Sequence, residues 1–143
     1  MEEVVMTENE KKKEYLSKYI KLGKQEKKLD EEIREIQLNK RHPSFSADGM
    51  PKGNGKTDLS SYAVLLDEKE RQRDKVISQK NICYANSKAR ISLLANEDEK
   101  QVLVARYHFG LGWTSIANGM NKGVRRVLQI HGQALRNFRL EES

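Results

Sequence analysis

Apolar residues return at alternating steps of four and three early in this chain: Tyr15, Tyr19, Leu22, Leu29, Ile33 and Ile36, with Glu26 filling the place between Leu22 and Leu29. That repeat lines side chains along one stripe of an α-helix and has no counterpart on a strand. It predicts one long helix over Thr7–Lys40 with a coiled-coil seam and a single charged interruption. Leu16 and Ile20 widen the stripe near its start, and Thr7 and Glu10 have the spacing of a capping box. The other faces carry Lys and Glu, including a favourable Glu14–Lys18 pair and a repulsive Glu31–Glu35 pair, as a solvated surface does.

The helix cannot pass through residues 41–57, RHPSFSADGMPKGNGKT, where Pro43 and Pro51 join Gly49, Gly53 and Gly55. This stretch is expected to be a loop or flexible linker. Its GKT ending is not a phosphate-binding loop. Counting back from Gly55, the first glycine of the motif would fall on Met50, and no strand precedes it. Asp58 to about Ala95 then reads as a second long helix. Leu59, Tyr62, Leu65 and Leu66 load its start, Val76, Ile77, Cys83 and Tyr84 follow, and Ile91 and Leu94 load its end. At 1.5 Å per residue the two helices would run roughly 50 and 55 Å. Similar lengths joined by one loop predict an antiparallel hairpin with apolar ends and a polar waist, KQEKK facing DEKERQRDK. A two-helix hairpin exposes much of its stripe. It is therefore expected to pack against the C-terminal helices, a second copy of itself, or another protein.

A third helix opens at Asn96, with Glu99 at capping-box spacing and Glu97, Asp98 and Glu99 on its first turn. It continues through Val102, Leu103, Arg106 and Tyr107, and Gly110 ends it. Trp113 to Gly132, WTSIANGMNKGVRRVLQIHG, follows as two short helices around a turn. Ile116 and Ala117 would pack the first inward. Asn121 falls where the turn needs positive φ. Val127 and Ile130 give the second an apolar face, with Arg125, Arg126 and Gln129 on its other side. This is a helix-turn-helix pattern, whose second helix enters the DNA major groove. The last helix runs on through Ala134, Leu135 and Phe138 to an acidic EES tail. The expected fold is all-α: a helical hairpin over 1–95 and a helix-turn-helix domain over 96–143.

Charge placement agrees with a polyanionic partner. The formal charge is +6 and the pI about 9.4. No Asp or Glu occurs from Lys100 to Leu140, whereas Lys100, Arg106, Lys122, Arg125, Arg126, Arg136 and Arg139 do. The single Cys83 makes no internal disulfide and is expected in the core or seam. No Cys/His cluster has zinc spacing, so no metal or cofactor is expected. The first residues, MEEVVMTENEKKK, do not read as a signal peptide, and no apolar run nears membrane-spanning length. A cytoplasmic protein with no membrane partner is expected.

The order NEDEKQVLVARYHFGLGWTSIANGMNKGVRRVLQIHGQALRNF resembles sigma-70 region 4. The shared features are an acidic capped start, V-L-x-x-R-Y, a glycine turn, W-x-x-I-A, and a basic recognition helix ending H-G-x-A-L. The Lys/Glu-rich first helix, the G-M-P-K-G linker and the second long helix extend the resemblance over nearly the whole chain. They resemble the small sigma-70-like regulators of phages and prophages of Gram-positive bacteria, related to late-gene activators of the ArpU and RinA type. The resemblance implies binding of double-stranded promoter DNA and contact with host RNA polymerase in the nucleoid of a bacterial host, switching on late genes. By position it implies base contacts from Val124, Arg125, Arg126 and Gln129, chemistry in which Arg grips guanine and Gln adenine. It implies backbone contacts from Lys122, Arg136 and His131, with helix packing the equal alternative for His131. Gly123 stands where the family often has Ser, a weaker cap. Thr114 and Ser115 replace acids before I-A, and either would cap its helix and touch phosphate. Phe109 replaces a Glu.

Trp113 is expected to anchor packing rather than stack on a base, and His108 to be structural or exposed. Arg125 and Arg126 have solvated surface as their ordinary alternative, set against an acid-free surrounding that favours DNA. Two other readings stand beside transcriptional regulation: a coiled-coil structural or interaction protein, and a small-terminase-like DNA-packaging adaptor. No nucleophile–base pair, metal cluster or paired acids suggest an enzyme. The hairpin's exposed seams suggest a homo-oligomer.

Overall fold

The computed structural model describes residues 7–41 and 55–140, and every element among them is helical. Helix α1 spans Glu8–Arg41, α2 Gly55–Ser92, α3 Glu97–Leu103, α4 Trp113–Met120 and α5 Val124–Asn137. A single π-helical turn, Val104–His108, follows α3. Most of the expected linker at 41–57, the side chain of Leu59 and the EES tail lie outside the described residues.

The expected capping box starts α1. Thr7 N donates to Glu10 Oε2 at 3.1 Å, and Glu10 N donates to Thr7 Oγ1 at 3.2 Å, satisfying two amides that have no partner inside the helix. The second long helix begins three residues earlier than expected and ends three earlier. Packing divides the described residues into two compact units. Those from Leu22 to Gln79 form one; those up to Lys21 and from Lys80 form the other. This division cuts across the one expected near residue 95. Both long helices contribute to both units.

In the Leu22–Gln79 unit, α1 pairs with α2. Ile33 and Ile36 are buried, while Leu22 and Leu29 on α1 and Tyr62, Leu66 and Val76 on α2 are half-buried. The polar waist is ionic. Lys69 Nζ lies 2.8 Å from Glu32 Oε2, and Arg73 Nη1 lies 3.2 Å from Asp30 Oδ1. Position advances on α2 as it recedes on α1, so the pairing is antiparallel. The hydrogen bond from Lys69 holds the Glu32 carboxyl below its ordinary pKa.

The other unit is built on two adjoining cores. Leu16, Ile91, Leu94, Leu103, Tyr107, Ala134, Leu135 and Phe138 make the first. Val102, Ile116, Ala117, Val127 and Ile130 make the second, with Ala105, Trp113 and Met120 against it. Of the coverings expected for the hairpin's apolar ends, the C-terminal helices supply this one. Leu16, expected only to widen the stripe, is fully buried, and Tyr15 beside it is half-buried. Enclosing a leucine on all sides contributes roughly 1.5–3 kcal/mol.

Asn96 caps α3 as expected, its side chain accepting from Glu99 N at 3.1 Å. The Glu99 carboxylate instead accepts from Asn137 Nδ2 at 2.8 Å and is only 6% exposed, tying the start of α3 to the end of α5. The π turn closes with Phe109 N donating to Val104 O at 3.1 Å, and Gly110 leaves the helix at φ +67°. A Cβ at Gly110 would also stand 3.4 Å from Ile20 Cδ1. The turn between α4 and α5 has the expected geometry. Asn121 is left-handed at φ 56° and ψ 42°, and Lys122 N reaches back to Ala117 O at 3.0 Å, the 6→1 bond of a Schellman end.

Candidate nucleic-acid interface

Helix α5 is sharply two-sided. Val127, Ile130, His131, Ala134 and Leu135 are buried, and at 100° per residue this fixes the opposite arc. Arg125, Arg126 and Gln129 are exposed on that arc, and Val124 is 39% exposed at its edge. Arg126 Nη1 approaches Gln129 Oε1 at 3.4 Å, so these two side chains lie along one line of the helix. Leu128, 44% exposed, extends this surface. Sequence reasoning passed over it, although fixing Val127 and Ile130 inward rotates Leu128 out. An exposed leucine beside guanidinium and amide groups offers apolar contact of the kind a thymine methyl takes.

Gly123 caps α5 and Gly112 caps α4, neither with a side-chain bond. Thr114 and Ser115 are therefore not caps, as expected of one of them. They lie exposed within the first turn of α4, because Gly112 already holds the extended conformation that a cap requires. Lys122 lies 3.7 Å from Asp98 Oδ2. Arg136 is exposed on the last turn of α5.

His131 needs correction as a backbone contact. It is 7% exposed. Its Nε2 shares a 2.8 Å hydrogen bond with the Tyr107 hydroxyl, and its ring meets Trp113 edge-on at a centroid distance of 4.7 Å. A group so enclosed cannot reach a phosphate. Burial, followed by the charges of Lys13 and Arg106, pushes its pKa down to about 4, so the ring is neutral. Burial raises the Tyr107 pKa and keeps its proton in place. Trp113 is half-buried against the second core, and the Arg106 guanidinium lies over its ring at 4.3 Å. His108 is structural: its Nε2 is 2.8 Å from Ser87 Oγ, and its ring sits beside Tyr19 and Tyr84. Burial chiefly, and Lys88 next, lower its pKa.

Two features bear on what the face can bind. The segment free of acids in sequence is not free of them in space. Asp98 and Glu99, on the first turn of α3, line a cleft of about 230 Å³ with Arg126, Gln129 and Gln133. A largely apolar groove of about 360 Å³ also opens between α4 and the α3–π-turn segment, lined by Lys100, Val104, Ala105, Ile116 and Met120, with Phe109 also lining it and 73% exposed. Among the described residues, no group of three His, Cys, Asp or Glu side chains could hold a metal, and no helix is long and apolar enough to cross a membrane. Compared with known proteins, the chain matches no family model, no curated protein and no solved structure.

Proposed function

We propose that this chain is a sequence-specific DNA-binding regulator of transcription, with α4 and α5 acting as a helix-turn-helix and α5 lying in the major groove. The observation that carries the reading is the exposed arc of Arg125, Arg126 and Gln129 on α5, opposite a face that is fully packed. Side chains with these donor patterns read guanine and adenine edges, and Lys122, Thr114, Ser115 and Arg136 would hold phosphates. The resemblance to sigma-70 region 4 adds the setting: a phage or prophage promoter, host RNA polymerase alongside, and activation of late genes. Self-association through the hairpin would bring more than one copy to a site.

Selection of a binding site from a random duplex library, followed by titration of variants, tests this. Arg125→Ala and Arg126→Ala should each weaken binding to the selected site by about 1–3 kcal/mol and relax preference at one base position. Native affinity in both variants would overturn the assignment of α5 as the reading helix.

The groove beside Phe109 supports a second reading, in which the C-terminal helices bind another protein and the hairpin is a structural element. DNA affinity that stays flat as salt rises would favour it, since phosphate neutralisation makes affinity fall steeply with salt.

A further inference from the structure

We propose that the start of α1 belongs to the DNA-binding surface, with Lys13 holding a backbone phosphate alongside α5; this rests on the DNA-binding reading above. Three consecutive lysines do different work in the fold. Lys11 pairs with Glu8 at 3.9 Å. Lys12 Nζ donates to Leu135 O at 2.7 Å and lies 3.5 Å from Arg136 O. It thereby satisfies carbonyls at the negative end of α5 and pins the two helices together. Tyr15 supports the same junction, its ring 6.0 Å from that of Phe138. Lys13 is exposed, and no carboxylate among the described residues is paired with it.

One step on from Lys12, Lys13 is rotated 100° around α1. Its charge opposes protonation of His131 on α5. Leu135, whose carbonyl Lys12 holds, lies at the edge of the packed side of α5, one turn from Gly132, which with Leu128 borders the exposed arc. The ammonium of Lys13 therefore flanks the arc along its C-terminal half. The opposite flank carries Asp98 and Glu99, which repel phosphate. Of the neighbouring acids on α1, Glu10 is folded back onto Thr7 N, and Glu14 is exposed one position on from Lys13, rotated a further 100° around the helix. A helix in the major groove has a phosphate strand along each side. A lysine on a flexible stem meets such a strand as a point charge, without sequence preference.

The test uses the full chain and a mixed-sequence duplex of about 30 base pairs, titrated by fluorescence anisotropy between about 50 and 200 mM salt. Lys13→Gln should weaken binding about fivefold near 0.1 M salt and reduce the slope of log K against log salt by about one phosphate. Lys13→Arg should restore both, which a merely structural role would not require. Lys75→Gln, on an exposed face of α2, should change neither. If the native chain binds with a steep slope and Lys13→Gln leaves affinity and slope unchanged, the α1 contact is overturned and the DNA reading stands. If the native chain shows no salt-dependent binding, both fall together.

Discussion

His131 is held neutral by the residues that enclose it, and that makes it the acid-sensitive point of the C-terminal helices. The unfolded imidazole takes a proton near pH 6.5 and the folded one only near 4. Between these values the unfolded chain binds more protons. Stability is therefore fully present above pH 6.5, falls as pH drops toward 4, and levels below it. The loss should be on the order of 2 kcal/mol after allowance for solvent screening. His108, lowered by the same cause, acts with the same sign. Thermal melts between pH 7 and pH 5, above most carboxylate titrations, should show this slope. His131→Gln should flatten it, and adding His108→Gln should remove most of the rest; an unchanged slope in the double variant would place the sensitivity elsewhere. Asn121 is the residue on which the α4–α5 angle depends. Its left-handed backbone is tolerated by Asn and strained for a β-branched side chain. Asn121→Val should cost about 1–2 kcal/mol in urea unfolding, while Asn121→Gly should stay near the native value.

At the scale of elements, the legible features were those set by local spacing. The 4–3 repeat of α1, the Thr7–Glu10 box, the Asn96 cap and the left-handed Asn121 each involve residues within one or two turns, and each is present in the structure. Features that needed a distant partner were not legible. The Glu99 carboxylate has capping-box spacing, yet it bonds Asn137, thirty-eight positions away. Gly112 caps α4 because the chain leaves the π turn extended there, which neither Thr114 nor Ser115 reveals. The candidate face of α5 was largely readable, since Val127 and Ile130 fix its inward side. What it meets at its edges was not: Asp98 near Lys122 and the start of α1 near its C-terminal half come from other parts of the chain.

The whole molecule couples regions that the sequence separates. Leu16, from α1, is completely enclosed by residues of α2, α3, the π turn and α5. Leu16→Ala should therefore lower the stability reported by fluorescence of Trp113, the single tryptophan, by about 2–5 kcal/mol. A Trp113 transition that ignored this substitution would mean that the C-terminal helices fold without α1. The sequence by itself determined that the chain is helical, that its two long helices pair antiparallel, and which side of α5 is apolar. Periodicity, caps and turn residues are local, and the chain writes them in order. Tertiary structure decided which half of each long helix joins the C-terminal helices, that His131 is packed rather than exposed, and how acidic the flank of α5 is. Those outcomes depend on burial and on charges brought together from distant positions, quantities that spacing along one chain does not contain.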